Sequence, residues 1–290
     1  MIGLLRKLYH ERNRRKTENI RKKNINQYLT QGRVAWTTGY WEYRQDEIKK
    51  AIANASWNDV AVKNTGVGLD ERIIEFPWII NHLRREASEL LDAGSTLNHD
   101  YILDHPLLAQ KKLSICTYNP EMPSFTERRI SYVYDDLRHL PFRDQHFDEA
   151  VCISTLEHID MDNSMYGYDI PNEAQAQVKS YDYLKVVAEL NRVLKPGGLL
   201  LVTVPYGKHE AHGFFQQMDA EMIGRLADTL QPFGSLELTF FKYLKEGWSR
   251  ATQQECNDAE SYNPHTGKGL KNDGAAHSRA ICCIEFTKRP

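Results

Sequence analysis

No stretch of the sequence approaches the ~18 consecutive apolar residues that a membrane-crossing helix requires, and Ile2 to Leu5 is too short for the core of a secretory signal. A cytoplasmic protein is expected. The five cysteines, Cys116, Cys152, Cys256, Cys282 and Cys283, lack the paired spacing of a zinc site, and no metal is expected. Three of them lie in apolar strand-like runs and read as buried thiols. Charge of one sign is scarce as well: the formal net charge is -2, which gives no global case for a nucleic-acid partner. Nor is there a G-x-G-x-x-G turn, which counts against the usual dinucleotide cradle; a nicotinamide oxidoreductase would have to bind its dinucleotide without one. No internal repeat is visible.

What is there suits a globular fold. The chain has 290 residues, 41% of them hydrophobic, enough for one large domain with an appendage. Charge is unevenly spread. Between Arg6 and Lys23 stand nine basic residues against Glu11 and Glu18. This basic arm is suited to touch an anionic membrane face or a protein partner, or else is a frayed, solvated terminus. Tyr28 to Asn54 reads as a polar helical stretch holding the aromatic cluster Trp36, Tyr40, Trp41 and Tyr43. Apolar spacing over Ile73 to Leu83 predicts a further helix, with a break or kink at Pro77.

From there strands and helices alternate. Leu90 and Leu91 close a first strand that ends in Asp92 and the small-residue turn Ala93-Gly94-Ser95. Short strands follow at 113–118, 130–134 and 147–154. A helix over 183–194 stops at Lys195-Pro196-Gly197-Gly198, and a central strand spans 199–204. A helix near 220–230 and strands at 235–242 and 280–286 complete the chain. The order predicts a mostly parallel, doubly wound sheet with an antiparallel edge at its C-terminal end. The expected division is a basic arm and helical cap over residues 1–84 and an α/β domain over 85–290. Ligands of such sheets bind at the carboxyl ends of the strands, which is where Asp92 and Gly94 fall.

The series Tyr134-Asp135-Asp136-Leu137-Arg138-His139-Leu140-Pro141-Phe142, Phe147-Asp148, Leu156-Glu157-His158-Ile159 and Glu189-Leu190-Asn191-Arg192-Val193-Leu194-Lys195-Pro196-Gly197-Gly198 resembles class I S-adenosylmethionine-dependent methyltransferases. The flanks 71–78 and 205–216 are similar to uncharacterised methyltransferases of bacterial surface-polysaccharide gene clusters. The resemblance implies a seven-stranded Rossmann-like sheet, S-adenosyl-L-methionine as cofactor, and O-methylation of a sugar or glycan precursor. A non-catalytic binding module on the same fold, or methylation of another small molecule, is the alternative.

The same resemblance places the cofactor against Asp92, Gly94, Ser95, Asn119, Asp136, Leu137 and Glu157. Asp92 would take the ammonium, Asn119 the ribose in place of the customary acid, and Asp136 the adenine amino group. Thr96 and Asn98 stand where glycines are usual. His158 and His212 are the candidate bases, since a hydroxyl acceptor needs one near neutral pH. Tyr206, His209, Gln216 and Tyr168 are the candidate acceptor contacts, the first three in a loop dense in hydrogen-bonding groups. The basic arm, on this reading, holds the protein near a membrane or a glycosyltransferase.

Overall fold

The fold is that of a computed structural model, which describes residues 2–164 and 179–290. Ten strands occur among these residues. The main sheet runs β3-β2-β1-β4-β5-β10-β8-β9, with β1 Glu89–Ala93, β2 Lys112–Thr117, β3 Ser131–Tyr134, β4 Phe147–Ile153, β5 Leu194–Pro205, β8 Gly234–Leu244, β9 Gly247–Ala251 and β10 Ala280–Lys288. The first five are mutually parallel, while β10 lies antiparallel to β5 and to β8. The sheet therefore has eight strands, one more than expected. The addition is β9, folded back on β8 through a turn at Gly247, whose φ of +104° suits glycine. Two short strands, β6 Glu210–Ala211 and β7 Gln216–Gln217, pair separately.

Strand alternation sorts the core onto two faces. Leu90, Ile115, Val151, Ile153 and Leu201 point to one side. Leu91, Cys116, Ala150, Cys152 and Leu200 point to the other. The second face is covered by α6 (Tyr183–Val193) and α7 (Ala220–Leu230). In α6 the buried positions Tyr183, Val186, Val187, Leu190 and Val193 follow the helical period. Asp219 caps α7, accepting from the Met222 amide at 3.0 Å.

The first face is covered by N-terminal helices. The basic segment is not frayed: it forms α1 (Ile2–Thr30), with Arg21 paired to Asp46 and Tyr28 wholly buried near its C-terminal end. The stretch read as one helix from Tyr28 is two, because residues 31–39 turn back through left-handed Gly32, Arg33, Trp36 and Gly39 before α2 (Tyr40–Ala53) begins. Helix α3 (Arg72–His82) runs through Pro77 without ending there. Its residues are buried on nearly every side, so packing outweighs one missing backbone bond. Single turns α4 (Asp100–Leu103) and α5 (Pro106–Ala109) link β1 to β2, and α8 (Gln253–Cys256) follows β9. No helix among the described residues is long and apolar enough to cross a membrane.

Where β1, β2 and β4 begin, Lys111 and Glu149 form an ion pair with both side chains fully buried. The Lys111 ammonium reaches Glu149 at 2.5 Å, the carbonyl of Arg84 at 2.7 Å and that of Glu86 at 2.9 Å. Glu149 also accepts from the Arg84 amide at 2.7 Å. Lys111→Met should cost about 3–5 kcal/mol in urea unfolding, because it strands a buried carboxylate. Adding Glu149→Leu should recover most of that loss.

Candidate functional site

The loop after β1 is shaped by three neighbours. Gly94 has φ +112°, and a Cβ there would lie 2.2 Å from Thr155 Oγ1, so only glycine fits the close approach. Ser95 is left-handed at φ +64°. Asp92 is wholly buried; one carboxylate oxygen accepts from the Leu97 amide at 2.8 Å, while Oδ1 and the nearby Ser95 Oγ have no partner among the described residues. Burial pushes the Asp92 carboxyl up to about 7 against the pull of the Leu97 and Thr96 amides. The two residues standing where glycines are usual act as tethers. Thr96 donates to the Ile153 carbonyl at 2.9 Å, and Asn98 donates to Pro123 at 2.9 Å while accepting from the Tyr132 hydroxyl at 2.9 Å.

Above this loop, at the carboxyl ends of β1 to β4, lies a cavity of about 260 Å³. Gly94, Thr96, Glu121, Asp136, Leu137 and His158 are on its wall. Asp136, two residues past β3, caps the following turn, accepting from the Arg138 amide at 2.9 Å and from the Arg138 guanidinium at 2.7 Å. Burial works against its charge, but the bonds from Arg138 prevail and hold the carboxyl below its ordinary range. Glu121 accepts from Thr117 at 3.0 Å.

A second pocket, about 480 Å³, adjoins the first, and Arg72, Ser154 and His158 line both. It is built from the turn before α2 (Trp36), α2 itself (Trp41, Arg44), the residues leading into α3 (Asp70, Glu71), the turn after β4 (Glu157) and the loop before β10 (His265, His277). His158 Nδ1 lies 2.8 Å from the Phe214 carbonyl, which only accepts, so Nδ1 carries the proton and Nε2 is the basic nitrogen. Burial, partly offset by that carbonyl, pulls the ring down to about 4.

Beneath the shared wall lies Glu75 of α3, wholly buried. It accepts from Ser154 Oγ at 2.6 Å and Thr203 Oγ1 at 2.7 Å, and its other oxygen holds the Arg72 guanidinium. Ser154 has φ +40°, strained for a residue with a side chain.

The expected residues divide accordingly. Gly94, Asp136, Leu137 and His158 line the first cavity, and Asp92 and Ser95 lie buried in the loop beneath it. Asn119 is not on that wall; Glu121, two residues on, is, because the chain turns back after β2. Glu157 faces the second pocket instead of the first. His212 reaches neither wall: its ring stacks on Phe215 at 4.5 Å and bonds Ser261 at 3.1 Å, so it packs the loop. Gln216 spends both ends of its amide on Ser180, at 3.0 Å each. Tyr206 is buried, its hydroxyl 2.5 Å from Asn257, and half-buried His209 also lies off both walls. Tyr168, with Tyr166 and Asp169, lies outside the described residues. The sequence reading missed Arg72 and Ser154 at the junction and His277 beyond it; the Trp36–Trp41 cluster was the visible signal for the second pocket.

The family described as methyltransferase domain matches residues 108–202. No curated protein matches the chain. Among solved structures, a possible histamine N-methyltransferase from Thermotoga maritima is similar at 16% identity and TM-score 0.42, covering 74% of this chain and 88% of that one. A 1,6-didemethyltoxoflavin-N1-methyltransferase from Burkholderia thailandensis, with S-adenosylhomocysteine bound, is similar at 13% identity and TM-score 0.42, covering 95% and 90%. The [4+2]-cyclase SpnF is similar at 15% identity and TM-score 0.47, covering 88% and 97%.

The Asp92 carboxyl sets a pH dependence. Unfolded, it ionises near 3.9; folded, it keeps its proton up to about 7. Between those values the folded state binds the extra proton, so this group's contribution to stability is present at low pH and is lost as pH rises. Urea midpoints should therefore fall from pH 4 to 7 more steeply in the wild type than in Asp92→Asn.

Proposed function

We propose that this chain is an S-adenosylmethionine-dependent methyltransferase that moves a methyl group onto a hydroxyl of a small molecule seated in the second pocket, with His158 as the base. The observation that carries the reading is the shared wall. Cofactor cavity and second pocket meet at Arg72, Ser154 and His158, so a donor in one and an acceptor in the other face each other across a single basic nitrogen.

The first cavity suits the cofactor's groups. The unpartnered Asp92 Oδ1 supplies a buried acceptor for an ammonium, and the turn at Gly94 brings the backbone close to a carboxylate. Glu121 takes the ribose role expected of Asn119, since a carboxylate holds a hydroxyl more strongly than an amide does. Asp136 and Leu137 take the adenine. Bound there, S-adenosylmethionine supplies a methyl group on a positively charged sulfur. His158 Nε2 would take the proton of an acceptor hydroxyl held in the second pocket, making its oxygen the nucleophile. Alignment and exclusion of water supply the acceleration. With a ring pulled down to about 4, His158 is unprotonated throughout the neutral range.

A sugar or glycan precursor is the acceptor this reading favours, because the second pocket combines ring faces with carboxylates. Residues 1–84 act as its cap and 85–290 as the catalytic domain. Residues 6–23 carry +7 against -2 for the whole chain, leaving -9 elsewhere. That asymmetry fits an arm drawn to an anionic membrane face, or to a partner such as a glycosyltransferase.

Mass spectrometry of methyl glycosides incubated with the protein and S-adenosylmethionine should reveal products one methyl group heavier. His158→Ala should cut that transfer at least about 100-fold while leaving S-adenosylhomocysteine affinity within about threefold. Unchanged transfer would remove His158 as the base. In sedimentation at low salt, vesicles containing phosphatidylglycerol should carry the wild type down, and Arg12→Glu with Lys16→Glu should weaken that binding.

A further inference from the structure

The second pocket has a definite polar character. Among its wall residues, the buried side-chain atoms with no hydrogen-bond partner are Glu71 Oε2 and Glu157 Oε2. Both residues are more than nine-tenths buried. Buried carboxyl oxygens without partners are uncommon in folded proteins and point to a group that arrives from outside. The wall's cations are already engaged: Arg44 holds Asp70 at 2.7 Å, and Arg72 is clamped by Glu75.

The two carboxyls differ in state. Burial opposes the charge on Glu71, but His277, 3.3 Å away, prevails and holds the carboxyl below its ordinary range, so Glu71 accepts. Burial drives Glu157 well above the usual range, with Glu75 and Glu71 adding to the push, so it keeps a proton to donate. Arg44 and Arg72, although paired with Asp70 and Glu75, still oppose an entering ammonium, and ionised Glu71 opposes a carboxylate. A hydroxyl both gives and receives, and suits both partners.

Apolar surface accompanies the carboxyls. Trp36 and Trp41 lie 5.2 Å apart by ring centroid, and the Trp36 indole is held by its N–H, 2.8 Å from both the Tyr262 hydroxyl and the Ala276 carbonyl. Phe214 faces the pocket from the other side, 5.4 Å from His265. Trp41 is 57% exposed, unusual for so large an apolar ring.

We propose that this pocket takes a neutral polyol ring, its hydroxyls paired with Glu71 and Glu157 and its carbon face laid against Trp36, Trp41 and Phe214. The inference rests on the reading of this pocket as the acceptor site, and adds that the acceptor is uncharged where it is gripped.

The test is saturation-transfer NMR on the full chain with S-adenosylhomocysteine present, using methyl glucopyranoside and methyl galactopyranoside, their 2-amino-2-deoxy counterparts and their uronates. A neutral glycoside should bind tightest of its series. Glu71→Gln and the surface variant Trp41→Ala should each weaken it about tenfold, with S-adenosylhomocysteine heats in calorimetry unchanged as the check on folding. Tighter binding of the amino or uronate sugar overturns the neutral assignment. Neutral binding indifferent to both variants overturns the site, as does failure of every glycoside to bind while S-adenosylhomocysteine still does. Glycoside binding that responds to the variants without any S-adenosylhomocysteine heat would keep the polyol site and remove the methyltransferase reading of the first cavity.

Discussion

The buried carboxylate of Glu75 ties the helical extension to the two central strands that end at the site. It takes hydroxyl hydrogen bonds from Ser154 after β4 and Thr203 on β5, and holds Arg72 one turn back along α3. A carboxylate without solvent is tolerable only if its oxygens are satisfied, so α3, the end of β4 and the C-terminal part of β5 are locked in one register. The wall between the two cavities is made of these same parts: Arg72, strained Ser154 and neighbouring His158. The site thus depends on an element that lies outside the matched methyltransferase domain.

The wall of the first cavity follows a different logic. Its loop substitutes side-chain tethers for glycines, with Thr96 tied to β4 and Asn98 to Pro123 and Tyr132. Glycine is kept only at Gly94, where Thr155 leaves no room for a Cβ. The tethers restrict the loop, so less freedom remains to be lost when a ligand arrives. Burial raises the Asp92 carboxyl to about 7, and its Oδ1 has no partner among the described residues.

Much of the sheet could be read from the chain because alternation and turn chemistry are local signals. Leu90-Leu91 before Asp92, the apolar run of β4 and the Lys195-Pro196-Gly197-Gly198 break marked their elements within a few residues. Pro77 misled, because burial of α3 on nearly all sides is not a local property. The loop at 206–217 misled for a related reason. Tyr206, His212 and Gln216 look poised for a ligand by density of polar groups, yet their partners are Asn257, Ser261 and Ser180, distant in sequence. Polarity is written in the sequence; whether it is already satisfied is not.

By itself the sequence determined the order of strands and helices, the acids at the ends of β1 and β3, the basic arm and the place of His158 after β4. These rest on period, propensity and short-range turn geometry, which neighbouring residues decide among themselves. Only the tertiary structure decided that Glu157 faces the second pocket, that Glu121 rather than Asn119 lines the first cavity, and that the start of α2 with the turn before it, the start of α3 and the loop before β10 close around one space. The physical reason is long-range packing. Residues as far apart as Trp36 and Ala276 meet only because both faces of the sheet must be covered, and what they enclose is fixed by that covering.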